Sequence, residues 1–280
     1  MTRSKEGKAP QIPLIGSTYT QDLADIHVES LDTPFLHPMS RTLDAVFEAT
    51  TSSLARLAGP TISITCEARL LIASTAISDR VIAKGFLASC TNQHEQDYAG
   101  RLGLTGSQIV LSGPAKFWPR GFRASEVQAI FCDSLAELGM LEGHIRRGEH
   151  VAEYVGATLR LVENESSRLG IPISASDGIE DLCARFAALP ITQKIGLEFH
   201  ADGSKIGFDF WEHLAHRFLD LAALIGLWIG RPVSCLGIWG EWFSEDWLFA
   251  LEGPIARLIG RIADTLPSVS CVILDSGQTF

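Results

Sequence analysis

The sequence predicts an α/β fold with a mixed, largely parallel sheet, on the strength of two observations. Short apolar segments rich in β-branched residues alternate with segments of helical periodicity along most of the 280 residues. This order is typical of parallel strands joined by right-handed helical crossovers. In addition, Pro-Val-Ser-Cys-Leu at 232–236 resembles Ser-Val-Ser-Cys-Val at 268–272, which indicates two equivalent strands of one sheet.

The amino-terminal third predicts an arm followed by one β-α-β unit. Residues 1–38 are polar and contain four prolines, so we expect a poorly structured arm, with 39–280 forming a single α/β domain. Helical spacing predicts a helix over 41–57, and the alternating, β-branched run 61–73 predicts a strand. A helix from Ser78 and a strand over 107–111 complete the unit.

The middle of the chain predicts a helical block over 125–189, which we interpret as a possible helical insertion in the α/β domain. Ser125 and Gln128 have the spacing of a capping box, which marks the start of a helix. A second helix is predicted from Glu149 to Arg168, and a third begins near Asp177.

The last third predicts an antiparallel edge hairpin over 195–210. Apolar residues alternate on both sides of Asp202-Gly203, a pair that two-residue hairpin turns prefer because both positions need a positive φ. A long helix over 211–229, a strand over 233–239, a helical region over 245–265 and a strand over 269–274 follow.

Composition and charge exclude several classes of protein. With 46% hydrophobic and 20% charged residues the chain is neither disordered nor fibrous. Its formal charge of -10 repels phosphate backbones, so we expect no nucleic-acid partner. The longest uncharged apolar stretch, 221–230, is too short for a membrane span, so no membrane association is expected.

The six cysteines predict a reducing, cytoplasmic location. They are scattered along the chain and form no Cys-x-x-Cys pair, as expected of buried thiols in a reducing compartment. The 6 Lys against 17 Arg are typical of a bacterial protein.

No familiar catalytic motif is present, so the candidate site rests on an argument about place. The chain has no Gly-x-Ser-x-Gly elbow, phosphate-binding loop or dinucleotide fingerprint. Ligands of parallel sheets bind beyond the carboxyl ends of the strands. An enzyme would therefore use Glu241 and Asp275 as acid and base or as metal ligands, with His213 near the substrate.

A metal site is a second hypothesis for the same region. His213, His216 and Asp220 follow one another at three and four residues on one predicted helix face, and His200 at the hairpin turn would be a fourth ligand. Under this alternative the chain binds one divalent metal. Otherwise no cofactor is expected.

A tryptophan-rich loop supports a function of another class. The residues that would form a binding surface are aromatic or acidic: Trp239, Trp242, Glu245 and Asp246. Tryptophan is a frequent anchor of interfaces, and an acidic rim accelerates association with a basic partner. We therefore expect a protein that binds a protein partner, of the inhibitor, immunity or adaptor type. The alternative is a hydrolase or transferase, possibly metal-assisted, at the carboxyl edge of the C-terminal strands. The sequence leaves the oligomeric state open.

Overall fold

Eight parallel strands close into a barrel in the computed structural model, which describes residues 40–117, 127–149, 151–161, 169–173, 177–240 and 244–275. The strands are β1 Thr61–Glu67, β2 Leu87–Cys90, β3 Ile109–Leu111, β4 Val127–Cys132, β5 Ala152–Leu161, β7 Lys194–His200, β8 Val233–Trp239 and β9 Cys271–Asp275. Each pairs in parallel with its neighbours in this order, and pairing of β9 with β1 closes the ring. The short strand β6, Ile171–Ile173, adds to the carboxyl end of β5.

Helices follow the strands and cover the outside of the barrel. Their bounds are α1 Ser40–Leu54, α2 Ala68–Ala73, α3 Thr75–Lys84, α4 Gln93–Arg101, α5 Leu135–Arg146, α6 Asp177–Ala188, α7 Gly203–Ile206, α8 Phe208–Ile229, α9 Ser244–Ala250 and α10 Ala256–Thr265. Local chemistry fixes several of these starts, because the side chains of Ser74, Asn92 and Ser134 accept backbone N–H bonds at the beginnings of α3, α4 and α5. No helix of the described residues is long and apolar enough to cross a membrane.

The strands bury both of their faces, which creates two cores. Outward-facing residues such as Leu197 and Phe199 pack with helix residues such as Phe218 in a large core between barrel and helices. The inner core consists of residues from alternate strand positions: Leu87, Val110, Ala129, Phe131, Tyr154, Cys235, Cys271 and Ile273. The barrel is therefore filled with side chains across its middle.

Phe131 occupies the centre of the inner core because three neighbouring strand positions are glycine. A Cβ added at Gly156 would lie 2.8 Å from Phe131 Cδ1, one at Gly196 would lie 3.1 Å from Cε1, and one at Gly237 would lie 3.2 Å from Cζ. The missing side chains on β5, β7 and β8 leave the volume that the aromatic ring fills.

The closed barrel corrects the predicted open sheet, and the predicted edge hairpin is not confirmed. Only its first arm is a strand, because β7 ends at His200 and residues 203–206 form α7. Asp202 does not occupy a hairpin turn: its side chain accepts a hydrogen bond from Lys205 N and begins α7. The alternation of apolar residues over 206–210 does not come from a strand, since Ile206 ends α7 and residues 208–210 begin α8.

The predicted helical block over 125–189 was also wrong in content. It contains the barrel strand β4, which precedes helix α5, and the barrel strand β5, which lies between α5 and α6. The predicted first strand is shorter than expected, since it ends at Glu67 and 68–73 are helical. The predicted arm over 1–38 lies outside the described residues.

Candidate active site

Polar residues occupy the carboxyl end of the barrel interior, directly above the apolar inner core. Because inward-facing positions recur every second residue, those that follow the inner-core residues along their strands also face inward. Asp275 follows Ile273, and Ser89 follows Leu87, in this way. We call this layer the polar layer. It consists of Thr65, Ser89, Ser112, Thr158, Glu198 and Asp275, and all six are buried.

Glu198 on β7 is the centre of the polar layer. Its Oε2 accepts hydrogen bonds from Ser112 Oγ at 2.7 Å and from Thr158 Oγ1 at 2.6 Å. Its Oε1 is buried and has no hydrogen-bond partner among the described residues. The side chain is fully buried. Two hydroxyl groups hold one oxygen of the carboxyl group, and the other oxygen has no hydrogen-bond partner among the described residues.

This environment raises the pKa of Glu198 to about 7. Burial is the largest cause, because removal from water disfavours the carboxylate. The hydrogen bonds from Thr158 and Ser112 lower the pKa, while the negative charge of Asp133 raises it further. Both protonation states of Glu198 are therefore populated near neutral pH, which suits a general acid–base group.

A cavity of about 350 Å³ opens beside the polar layer at the carboxyl end of the barrel. Ser112 and Ser89 of the polar layer line it, together with His200 and Trp239 from the ends of β7 and β8. The two rings lie 5.9 Å apart, centroid to centroid, and Trp239 Nε1 is a buried donor with no acceptor among the described residues. The cavity is thus lined by Ser112, which donates a hydrogen bond to Glu198, and by the aromatic side chains of His200 and Trp239.

Acidic groups give the opening of this cavity a negative character. Glu67 at the end of β1 and Glu95 on α4 line it, and so does Arg69, which pairs with Glu67. Glu95 accepts hydrogen bonds from Thr91 N at 2.7 Å and Thr91 Oγ1 at 3.0 Å, which hold it at the rim. Among the described residues that line the cavity, the guanidinium of Arg69 is therefore matched by two carboxylates.

Lys116, in the loop after β3, is buried in a pair of carboxylates next to the polar layer. Its Nζ lies 2.8 Å from Asp133 Oδ2 and 3.2 Å from Glu137 Oε2, and it also donates to the Gly113 carbonyl. Burial lowers its pKa, but the charges of Asp133 and Glu137 outweigh burial, so the net pKa is raised. Lys116 is thus an ammonium ion that joins the β3 loop to the end of β4.

The structure brings three of the sequence-predicted residues to the carboxyl end of the barrel. Asp275 lies in the polar layer, where Thr65 Oγ1 is 3.5 Å from its Oδ1. Trp239 and His200 line the cavity. Glu241 and Trp242 lie outside the described residues, as do the side chains of Glu245 and Asp246.

The remaining predicted residues lie elsewhere, on the outer helix α8. His213 is exposed and stacks on Phe210, with ring centroids 6.2 Å apart. Asp220 Oδ1 accepts a hydrogen bond from Arg261 at 2.8 Å, and burial together with the Arg261 charge lowers the pKa of His216. The three predicted metal ligands on α8 thus share the surface of this helix with the guanidinium of Arg261, whereas the fourth, His200, lines the cavity. Over the described ranges, no group of three or more His, Cys, Asp or Glu side chains is arranged to hold a metal ion.

Sequence reasoning missed Glu198, Ser112 and Thr158. The signal for Glu198 is its position between Leu197 and Phe199, in a strand that a closed barrel buries on both faces. Placed in a hairpin at a sheet edge, the same residue belongs to a solvent face. A carboxylate in a strand buried on both faces needs partners or a function, but that inference requires the barrel first.

Comparison with known proteins identifies the fold of the chain. No family model and no curated sequence matches it. Among solved structures, diaminopimelate decarboxylase from M. jannaschii matches with a TM-score of 0.65 and 12% identity, over 86% of this chain and 59% of that one. Lysine decarboxylase from Selenomonas ruminantium matches with a TM-score of 0.59 and 15% identity, over 98% and 65%. Arginine decarboxylase from Paramecium bursaria Chlorella virus matches with a TM-score of 0.59 and 15% identity, over 86% and 62%.

The class that these comparisons define is a parallel α/β barrel of the kind found in decarboxylases. The chain spans about three fifths of the length of the structures it matches, and at these identities the likeness concerns the fold. A further matching structure, of SrLDC, contains PLP and cadaverine. The prediction of a partner-binding inhibitor, immunity or adaptor protein is overturned, because the matching structures are of decarboxylases and their shared barrel is an enzyme scaffold.

Proposed function

We propose that this protein is an enzyme that transfers a proton to or from a small molecule bound in the cavity at the carboxyl end of the barrel. The observation that carries the proposal is the state of Glu198: fully buried, held at one oxygen by Ser112 and Thr158, and titrating near pH 7. Barrels of this architecture place their active sites at this end. Buried carboxyl groups with raised pKa values are typical of general acid–base catalysis.

Ser112 provides the route by which a proton travels between Glu198 and the cavity. Its hydroxyl lines the cavity and donates to Glu198 Oε2. When a bound molecule gives up a proton to Ser112 Oγ, the hydroxyl passes its own proton to Glu198. In the opposite direction, protonated Glu198 donates to Ser112 Oγ and the hydroxyl protonates the bound molecule. Thr158 also donates to Glu198 Oε2 and keeps the carboxyl group oriented.

Decarboxylation is the reaction class that we propose to test first, because the matching structures are of decarboxylases. The substrate class is a 3-oxo acid, whose carbonyl group is β to the carboxylate and stabilises the carbanion as an enolate. The C–C bond breaks, CO2 leaves, and its electron pair remains on carbon. Glu198, acting through Ser112, protonates that carbon and recovers its proton from water. Trp239 lines the cavity, and its Nε1 has no acceptor among the described residues.

The experiment measures CO2 release and solvent deuterium incorporation over a panel of 2-oxo acids, 3-oxo acids and amino acids. For a substrate that reacts, E198Q is expected to lose about 10²- to 10⁴-fold in kcat, the contribution of a general acid–base group. The matched control is E153Q, because Glu153 lies at the start of β5 at the opposite end of the barrel, where it pairs with Lys194. Retained activity in E198Q would refute the assignment.

A further inference from the structure

We propose that this barrel works without pyridoxal phosphate bound to a lysine, although a matching structure of the same fold contains PLP. The proposal concerns the lysines of the chain and does not depend on the role proposed for Glu198. It defines the protein as a decarboxylase-type barrel whose site chemistry comes from carboxyl, hydroxyl and ring groups of its own.

The chemical requirement of the cofactor is specific. PLP is held as a Schiff base, in which the nitrogen of a lysine side chain replaces the aldehyde oxygen and water leaves. The reacting lysine must present a neutral amine to the cofactor, since an ammonium ion has no electron pair with which to attack the aldehyde. A barrel that holds PLP in this way therefore needs a lysine whose Nζ reaches the cavity and gives up its proton.

None of the described lysines meets this requirement. The chain has six lysines, of which Lys5 and Lys8 lie outside the described residues. Lys84 ends α3 on the surface in a pair with Glu48, and Lys194 lies at the amino end of β7, opposite the cavity. Lys205 on α7 is exposed and pairs with Asp202. No described lysine is among the residues that line the cavity.

Lys116 is the buried lysine nearest the polar layer, and its surroundings hold it as an ammonium ion. Its Nζ has three acceptors, which are Gly113 O, Asp133 Oδ2 and Glu137 Oε2, and an ammonium has three N–H groups to donate. Removal of the proton would leave two carboxylates buried beside a neutral amine, which is unfavourable. The same contacts that make Lys116 a structural cross-link therefore prevent it from acting as an amine nucleophile.

The residues of the site differ from those that hold PLP in one respect, which is the lysine. Asp275, a buried carboxylate in the polar layer, is the residue type that pairs with the pyridinium nitrogen of PLP. The barrel thus keeps a residue suited to one end of the cofactor and lacks, in its described part, the amine that would bind the other end. The described lysines are therefore incompatible with the covalent form of the cofactor.

The test is reductive trapping on the full chain. The protein is incubated with PLP, reduced with borohydride, and examined by intact mass and peptide mapping, with a PLP-dependent decarboxylase as a positive control for the procedure. K116R is the matched variant, because arginine keeps the charge and the donors of Lys116 but forms no Schiff base. We expect wild type and K116R to carry the same substoichiometric label, spread over exposed lysines such as Lys194 and Lys205.

One equivalent of label on a single lysine would overturn the proposal, whichever lysine carries it, Lys5 and Lys8 included. If that lysine is Lys116, the label is lost in K116R. E198Q gives an independent arm, since it abolishes proton transfer under the proposed function but leaves the labelling pattern of wild type. Failure of one proposal is therefore distinguishable from failure of the other.

Discussion

Ser112 Oγ lies 2.7 Å from Glu198 Oε2, although the two residues are 86 positions apart in the chain. Ser112 directly follows β3 and Glu198 lies on β7, on a different side of the barrel, and they meet because both side chains point inward at its carboxyl end. Thr158 reaches the same oxygen from β5. Under the proposed function, the contact between Ser112 and Glu198 carries the proton between Glu198 and the cavity.

The raised pKa of Glu198 makes the protein less stable as the pH rises. Its pKa is about 7 in the fold and 4.5 as a free side chain, so the folded state binds the proton more tightly. The resulting stability is complete below pH 4.5 and is lost as the pH rises to about 7, by roughly 3 kcal/mol for a shift of this size. Urea unfolding from pH 5 to 8 should show this decline in wild type and not in E198Q.

The control for this measurement is E153Q. The hydrogen bond from Lys194 lowers the pKa of Glu153, so above about pH 6 this carboxylate is ionised in both the folded and the unfolded state. The difference between E153Q and wild type should therefore stay constant from pH 6 to 8. A pH-independent difference between E198Q and wild type would contradict the raised pKa.

The two hydroxyl groups that donate to Glu198, those of Ser112 and Thr158, are expected to differ in their effects on the rate. Removing either one raises the pKa of Glu198, because each hydrogen bond stabilises the carboxylate. T158V should shift the carboxyl titration, followed by carbon-13 NMR of labelled glutamate, to higher pH and leave the maximal rate within a few-fold of wild type. S112A should shift the titration in the same direction and also lower kcat by about 10²-fold or more. Equal rates for the two variants would exclude Ser112 as the route of the proton.

Loss of the Lys116 charge should destabilise the fold more than a substitution that keeps the charge. K116M leaves the half-buried Asp133 and Glu137 without a cation, which costs up to about 3–5 kcal/mol, the loss for a fully buried pair. In K116R the charge remains and the cost should be smaller. Chemical denaturation measures both, and the double variant K116M/D133N should recover part of the loss. Full additivity of the two substitutions would show that the groups do not interact.

The inner core should be sensitive to single methyl groups at the glycines around Phe131. In G237A the new Cβ would lie 3.2 Å from Phe131 Cζ and 3.1 Å from Glu198 Cγ, so we expect a loss of about 1–3 kcal/mol. The matched control is G260A on α10, where a Cβ meets nothing within 4 Å and should stabilise the helix by about 1 kcal/mol. F131A should cost about 3–5 kcal/mol. Thermal unfolding of the three variants distinguishes these effects, and a neutral G237A would be the contrary result.

The sequence predicted best those strands whose residue types indicate burial on both faces. The strand over 233–239 and the last strand are rich in β-branched and apolar residues and were placed within two residues of their bounds. β4 and β5 were missed because Ala, Leu, Glu and Gln within them also favour helices, and burial in the barrel overrides that preference. Once these two strands were taken for helices, eight strands could not be counted and closure of the sheet could not be inferred.

The sequence led to part of the carboxyl end of the barrel but not to its central residue. The rule that ligands bind at carboxyl ends of strands led to Asp275 and Trp239, and His200 was predicted separately as a metal ligand; all three lie at that end of the barrel. His213, in the second turn of α8, lies on the outer helix layer. Glu198 was invisible because its partners come from strands 40 and 86 residues away, and no local pattern reports such a contact.

The aromatic ring of Phe131 has a consequence for how a molecule enters and leaves the cavity. Because it fills the middle of the barrel, with glycines on three strands packed around it, the cavity at the carboxyl end does not continue to the amino end. Under the proposed function, substrate and product therefore share the carboxyl end, where Trp239, His200, Glu67 and Glu95 line the cavity. The product then has to leave before the next molecule arrives, and accumulated product competes directly with substrate.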